Sequence, residues 1–91
     1  MRYAGISKTL LQSENPQELQ RLRDTGTLDE VMQEVQESFS DQEHDLIRST
    51  HREIEKEGLP TQEEMGRKRM AEMCAREVTA SDLAEFWRSI E

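Results

Sequence analysis

Gly26 and Gly58 bracket a stretch that contains neither glycine nor proline. Nothing else in the chain limits the fold as much. Thr27-Leu28-Asp29-Glu30 places a Thr and a Glu at capping-box spacing. There the Thr27 hydroxyl can accept from the N–H of Glu30, and the Glu30 carboxylate can reach back to the N–H of Thr27. Gly58 suits the left-handed conformation that closes a helix. If continuous, residues 28–57 form a helix about 45 Å long. Its apolar residues, Leu28, Val31, Met32, Val35, Phe39, Leu46, Ile47 and Ile54, fall mostly at intervals of three, four or seven, which is a helical stripe. Ser40 and Glu43 offer a second capping box inside the stretch, so the sequence allows either a kink near Ser40 or an unbroken helix.

Shorter helices are expected on either side. Tyr3, Ile6 and Leu10 have helical spacing, but Gly5 weakens the segment, which predicts a short or frayed N-terminal helix. Asn15 is a suitable N-cap, Pro16 suits the first helical position, and Glu18 follows three residues after Asn15. A helix over 16–24 is therefore expected, with Leu19 and Leu22 on one face. After the connector Leu59-Pro60, Thr61 and Glu64 form a third capping-box pair ahead of a helix over 62–78. Ser81 can cap a last helix carrying Leu83, Phe86, Trp87 and Ile90, or the third helix can continue through it. No segment alternates as a strand does. The predicted fold is all-α: a single domain over 1–91, a small helical bundle with a long central helix, three main helices and an N-terminal segment.

Composition narrows the classes of function. The chain has 91 residues, of which 33% are apolar, and a net charge of −8. A core of this size leaves a thin stability margin, and self-association as a homodimer is one way to bury more surface. The acidic balance argues against direct nucleic-acid binding, which draws on clustered Lys and Arg. No apolar run reaches the roughly 20 residues of a membrane span, and the opening MRYAGISKTLLQSENP has no signal-peptide core. With one cysteine and no internal disulfide to form, a cytoplasmic protein is expected.

Charge divides the central helix. Asp29, Glu30, Glu34, Glu37, Asp41, Glu43 and Asp45 precede Arg48, Arg52 and Lys56, an order that complements the helix dipole. The acids also resemble a face that competes for a nucleic-acid-binding surface. Arg67-Lys68-Arg69 forms a second basic cluster, which antiparallel packing would bring toward Arg48, Arg52 and Lys56 unless neighbouring acids pair with them. His44 and His51 are too far apart to share a metal, and His51 with Glu55 supplies two ligands where three or more are usual. Cys74, between Met73 and Ala75, reads as a buried, inert thiol. No nucleophile with its base, phosphate loop, metal set or cofactor motif can be assigned, so no enzyme activity and no cofactor are expected. The large soft side chains of the C-terminal third, Met70, Met73, Phe86 and Trp87, are read as the protein-interaction surface, with core as the alternative for each.

One resemblance adds context. Leu11, Pro16, Arg21, Leu22, Gly26 and Leu28 lie in an order that resembles the N-terminal half of the small transposon-encoded TnpV-like proteins. The likeness runs on through Met32, Glu34, Val35, Leu46, Ile47 and the Glu57-Gly58 turn. It ends with Arg69-Met70-Ala71, Ala75-Arg76-Glu77-Val78 and Leu83. Gly66 to Met70 stand where the family has a Trp and paired Asn. The resemblance implies an accessory protein of a bacterial mobile element and sets context rather than mechanism, since the family has no catalytic motif to carry over.

Overall fold

The computed structural model describes residues 2–90. Four helices follow one another: α1 (Arg2–Glu14), α2 (Pro16–Asp24), α3 (Leu28–Lys56) and α4 (Thr61–Arg88). Among the described residues there is no strand, so the fold is all-α as expected.

The turn at Gly58 forms for the expected reason, and Gly26 adopts the same conformation. Gly26 has φ +72° and Gly58 φ +64°, a region that L side chains avoid. At the first turn the Thr27 N–H donates to the Leu22 carbonyl at 3.1 Å and the Gly26 N–H to the Arg23 carbonyl at 3.1 Å. This pair of bonds is a Schellman closure of α2. Asn15 caps the other end of α2, accepting from the Glu18 N–H at 3.4 Å, with Pro16 in the first turn.

The capping boxes do not form. Thr27 occupies the N-cap of α3 but makes no side-chain cap bond. Its ψ is 2°, outside the extended range usual for a cap, and its hydroxyl shares a hydrogen bond with that of Thr25 at 2.8 Å. Thr61 is already inside α4, because Pro60 takes the N-cap position. At Ser40 the helix runs straight through. Glu43, which a restart would need as a cap, instead accepts from the Tyr3 phenol at 2.5 Å. The break considered at Ser81 is absent too: Ala75, Thr79, Leu83 and Trp87, spaced four apart, form one buried face of a continuous α4.

α3 and α4 form an antiparallel hairpin. Their register is shown by Gln42 with Asp82 (2.6 Å), His51 with Glu72 (3.7 Å) and Glu55 with Lys68 (2.9 Å). α3 alone, at 29 residues, spans about 43 Å. The overall extents of 54 × 20 × 18 Å follow from this hairpin.

α1 is a full 13-residue helix, neither short nor frayed. It is held at both ends. At its start the N–H groups of Tyr3 and Ala4 donate to Gln36 Oε1 at 2.7 and 3.1 Å, so a side chain of α3 supplies the cap that α1 lacks. At its end Glu14 pairs with Arg88, and the Asn15 amide donates to the Ile90 carbonyl at 3.2 Å. α1 therefore lies parallel to α4, with its N-terminus midway along the hairpin. Its buried residues are Tyr3, Ala4, Ser7 and Leu11, while Ile6 and Leu10 are only partly covered. Ser7 is tolerated inside because its hydroxyl donates to the Tyr3 carbonyl at 2.6 Å.

The core joins these α1 residues to Leu19, Leu22, Met32, Val35, Leu83 and Trp87. Burial, then the hydrogen bond to Glu43 and its negative charge, pushes the Tyr3 phenol up from 10.0 to about 12. Since the folded chain holds this proton more tightly than the unfolded chain, Tyr3 contributes stability below pH 10 that is lost as pH rises toward 12. Tyr3 is the sole tyrosine, so phenolate absorbance isolates it. The expected midpoint is about 12 in the native protein; a native midpoint at the unfolded value would show that the Tyr3–Glu43 contact does not form.

Candidate protein-interaction surface

Because α1 begins midway along the hairpin, it covers only one end of it. At that end α1 and α2 close the core against the start of α3 and the end of α4. The remainder, from about Leu46 to Ile54 on α3 and from Arg67 to Val78 on α4, is a two-helix arm. Ile54 and Ala75 are buried there by the hairpin itself, outside the main core cluster.

The arm carries a shallow apolar groove of about 450 Å³. Leu46, Thr50 and Ile54 of α3 form one wall, and Met70, Cys74 and Val78 of α4 form the other. Ala71 and Ala75 lie between them, and Arg67 stands at the end nearest the turn. Met70, Cys74 and Val78 are four residues apart, so they share one face. This face is a second apolar stripe on α4, beside the buried stripe of Ala75, Thr79, Leu83 and Trp87. Met70 is 66% exposed and Val78 48%. Such a row of soft apolar side chains in water makes this face the candidate contact surface.

The residues expected to form the interaction surface separate in the fold. Met70 and Met73 are exposed on the arm. Phe86 is partly exposed at the closed end, where its ring stands edge-on to Phe39 (5.8 Å) and Trp87 (4.9 Å). It lies 16 residues beyond Met70, about 24 Å along the helix. Trp87 requires correction: at 3% exposure it belongs to the core and presents no surface. Cys74 requires the opposite correction, since the thiol expected inside is exposed in the groove wall. Leu46, Thr50, Ala71, Cys74 and Val78 were not expected at a surface site. The signal for them was the four-residue spacing of Met70, Cys74 and Val78, a stripe turned away from the one that contains Trp87.

Charges around the arm are largely paired. Lys68 meets Glu55 at 2.9 Å and Glu64 at 3.7 Å, and Arg67 meets Glu57 at 2.6 Å. The hydrogen bond from Lys68 lowers the Glu55 pKa, and the same bond raises that of Lys68. Arg48 pairs with Asp45 and Lys56 with Glu53. Four of the six basic residues of the two clusters, Arg48, Lys56, Arg67 and Lys68, are thus tied to neighbouring acids. Asp41 and Asp45 border a separate polar hollow on α3 that shares Leu46 with the groove.

His44 is exposed and His51 half-buried. His51 Nε2 lies 3.7 Å from Glu72. Among the described residues no group of three or more His, Cys, Asp or Glu side chains is placed to hold a metal ion. No helix among them is long and apolar enough to cross a membrane. Comparison with protein-family models, with curated proteins and with solved structures finds no match.

The two aromatic and methionine environments call for opposite responses to truncation. Trp87→Ala is expected to cost about 3–5 kcal/mol and to unfold much of the chain. Met70→Ser is expected to change stability by less than about 0.5 kcal/mol in dilute solution. Urea titration followed by circular dichroism checks both, and equal costs for the two would refute the division into core and surface.

Proposed function

We propose that this chain is a non-enzymatic interaction protein, a regulatory accessory factor that acts by docking a helix face onto a protein. The uncovered apolar groove of the α3–α4 arm carries this reading. A chain with 35% charged residues keeps the lining of that groove apolar except for Arg67 and Thr50. An amphipathic helix seats on such a groove through side chains at three- and four-residue spacing. The likeness to TnpV-like proteins supports a setting in a bacterial mobile element. Met70 takes part directly, as a flexible contact in the groove wall, with Met73 exposed beside it on the arm, while Phe86 and Trp87 lie at the closed end outside this surface. A photo-cross-linking residue at position 70, introduced in host cells, is expected to capture protein. The same residue at Arg23, on the exposed face of α2, is the control. Equal capture at both positions, or none at position 70, would refute docking at the arm.

A second reading rests on the acids of α3. Glu30, Glu34, Glu37 and Asp41 are exposed at intervals of four, three and four. Among the described residues none of these four pairs with a Lys or Arg. A continuous anionic stripe of this kind suits the basic surface of a nucleic-acid-binding protein, which the chain would block by mimicry. On this reading, replacing the four acids by Gln and Asn abolishes inhibition of such a protein's DNA binding. Inhibition that survives both the substitutions and high salt excludes mimicry.

A further inference from the structure

α1 differs from the other helices in how its ends are made. α2, α3 and α4 each carry an acid in the first turn and a base in the last, as the helix dipole favours. α1 has neither. Its terminal charges are reversed, with Arg2 at the start and Glu14 at the end. α2 also makes its own N-cap through Asn15 and its own closure at Gly26. The N–H groups of Tyr3 and Ala4 at the start of α1 are instead met from another helix, by Gln36 Oε1 of α3. Gly5 lies inside the segment, which has 13 residues. Isolated helices below about 12–15 residues are marginal in water, and an interior glycine weakens them further. Local chemistry therefore gives α1 little support, and docking supplies the rest.

We infer that α1 is a conditional helix, folded only while docked, which leaves the α3–α4 hairpin and unfolds as one unit while the other three helices stay in place. Gln36 and Glu43 form the latch, and Asn15 is the hinge. The latch lies where three helices meet. The Tyr3 phenol of α1 donates to Glu43 Oε1 of α3 at 2.5 Å, and Arg76 Nε of α4 stands 4.0 Å from the same oxygen. The Tyr3 ring also packs on Phe39, with 6.4 Å between centroids.

The hinge is the one residue between α1 and α2. Asn15 accepts from the Glu18 N–H, and Pro16 has no N–H to give back to α1. α2 thus keeps its cap when α1 unfolds, and the Gly26 turn ties its other end to α3. Release also changes the surface of the hairpin. The arm groove ends at Leu46 and Val78. Leu46 lies three residues beyond Glu43, and Val78 adjoins the buried face of Thr79 and Leu83. When α1 leaves, the groove lengthens toward Phe39 and Leu83. This holds whatever meets the arm, and it does not depend on the docking role proposed above.

Native-state hydrogen exchange of the full chain in low urea is the test. The amides of α1 from Ile6 to Glu14 are expected to share one opening, more populated by at least about tenfold than the one that frees amides near Leu83, and with a smaller urea dependence. Gln36→Met keeps a long, helix-favouring side chain but removes the acceptor. It is expected to speed exchange of the α1 amides about tenfold. The Gln36 bonds are absent from both openings, so the amides near Leu83 speed up by the same factor and the difference between the two groups persists. Gln36→Glu restores an acceptor, and its charge suits the start of α1, so exchange is expected to return to within about threefold of wild type. Equal exchange free energies and equal urea dependence for the two groups in the wild-type chain would mean that α1 leaves only on global unfolding, and would overturn the inference. So would α1 exchange that Gln36→Met leaves unchanged, or that Gln36→Glu speeds as much as Gln36→Met does.

Discussion

The structure depends on a mismatch of lengths. α3 and α4 are each close to thirty residues, while α1 has 13. A helix hairpin of this length needs a third helix along its open side, since amphipathic helices take most of their stability from what their apolar face meets. α1 supplies roughly half of that cover. The closed end, with its aromatic and leucine core, and the open arm, with its exposed methionines, both follow from where α1 starts and stops.

Polar contacts set that position. An apolar stripe alone would let a short helix slide along the hairpin by a turn. Gln36 fixes the first turn of α1 through two backbone bonds, Glu43 holds the Tyr3 phenol, and Arg88 holds Glu14 at the far end. The Gln36 and Glu43 contacts are partly buried, whereas the Glu14–Arg88 pair is exposed to solvent. Buried and half-buried polar partners therefore decide which part of the hairpin is covered, and hydrophobic burial supplies the attraction. Glu18 shows the same economy in α2. It is nearly buried, yet both oxygens bond Arg21, which holds its carboxyl below the usual range.

Local chemistry was readable from the sequence, and tertiary competition was not. Gly26, Gly58 and the Asn15-Pro16 start depend on backbone conformation within a few residues, and all three behave as the residue types dictate. The capping boxes depend on side chains that have other options. Thr27 turned to Thr25, Glu43 turned to Tyr3, and Thr61 lost its place to Pro60. Trp87 and Cys74 exchanged their expected roles for a related reason. α4 carries two apolar stripes, and spacing along one helix does not tell which of them a neighbour covers. The reach of α1 decides that, and it depends on Gln36 and Glu43 of α3, which are far from either residue in sequence.

A single unbroken α4 crosses from the arm to the closed end, and this gives the helix two kinds of backbone protection. Amides near Met70 are shielded only by the hairpin's own hydrogen bonds, so they exchange with solvent whenever the two-helix arm frays. Amides near Leu83 are sealed beneath α1 and open only when the whole core does. One continuous helix thus holds a gradient of local stability along its length, low along the arm and high at the closed end. Local opening of the arm therefore leaves the closed end folded.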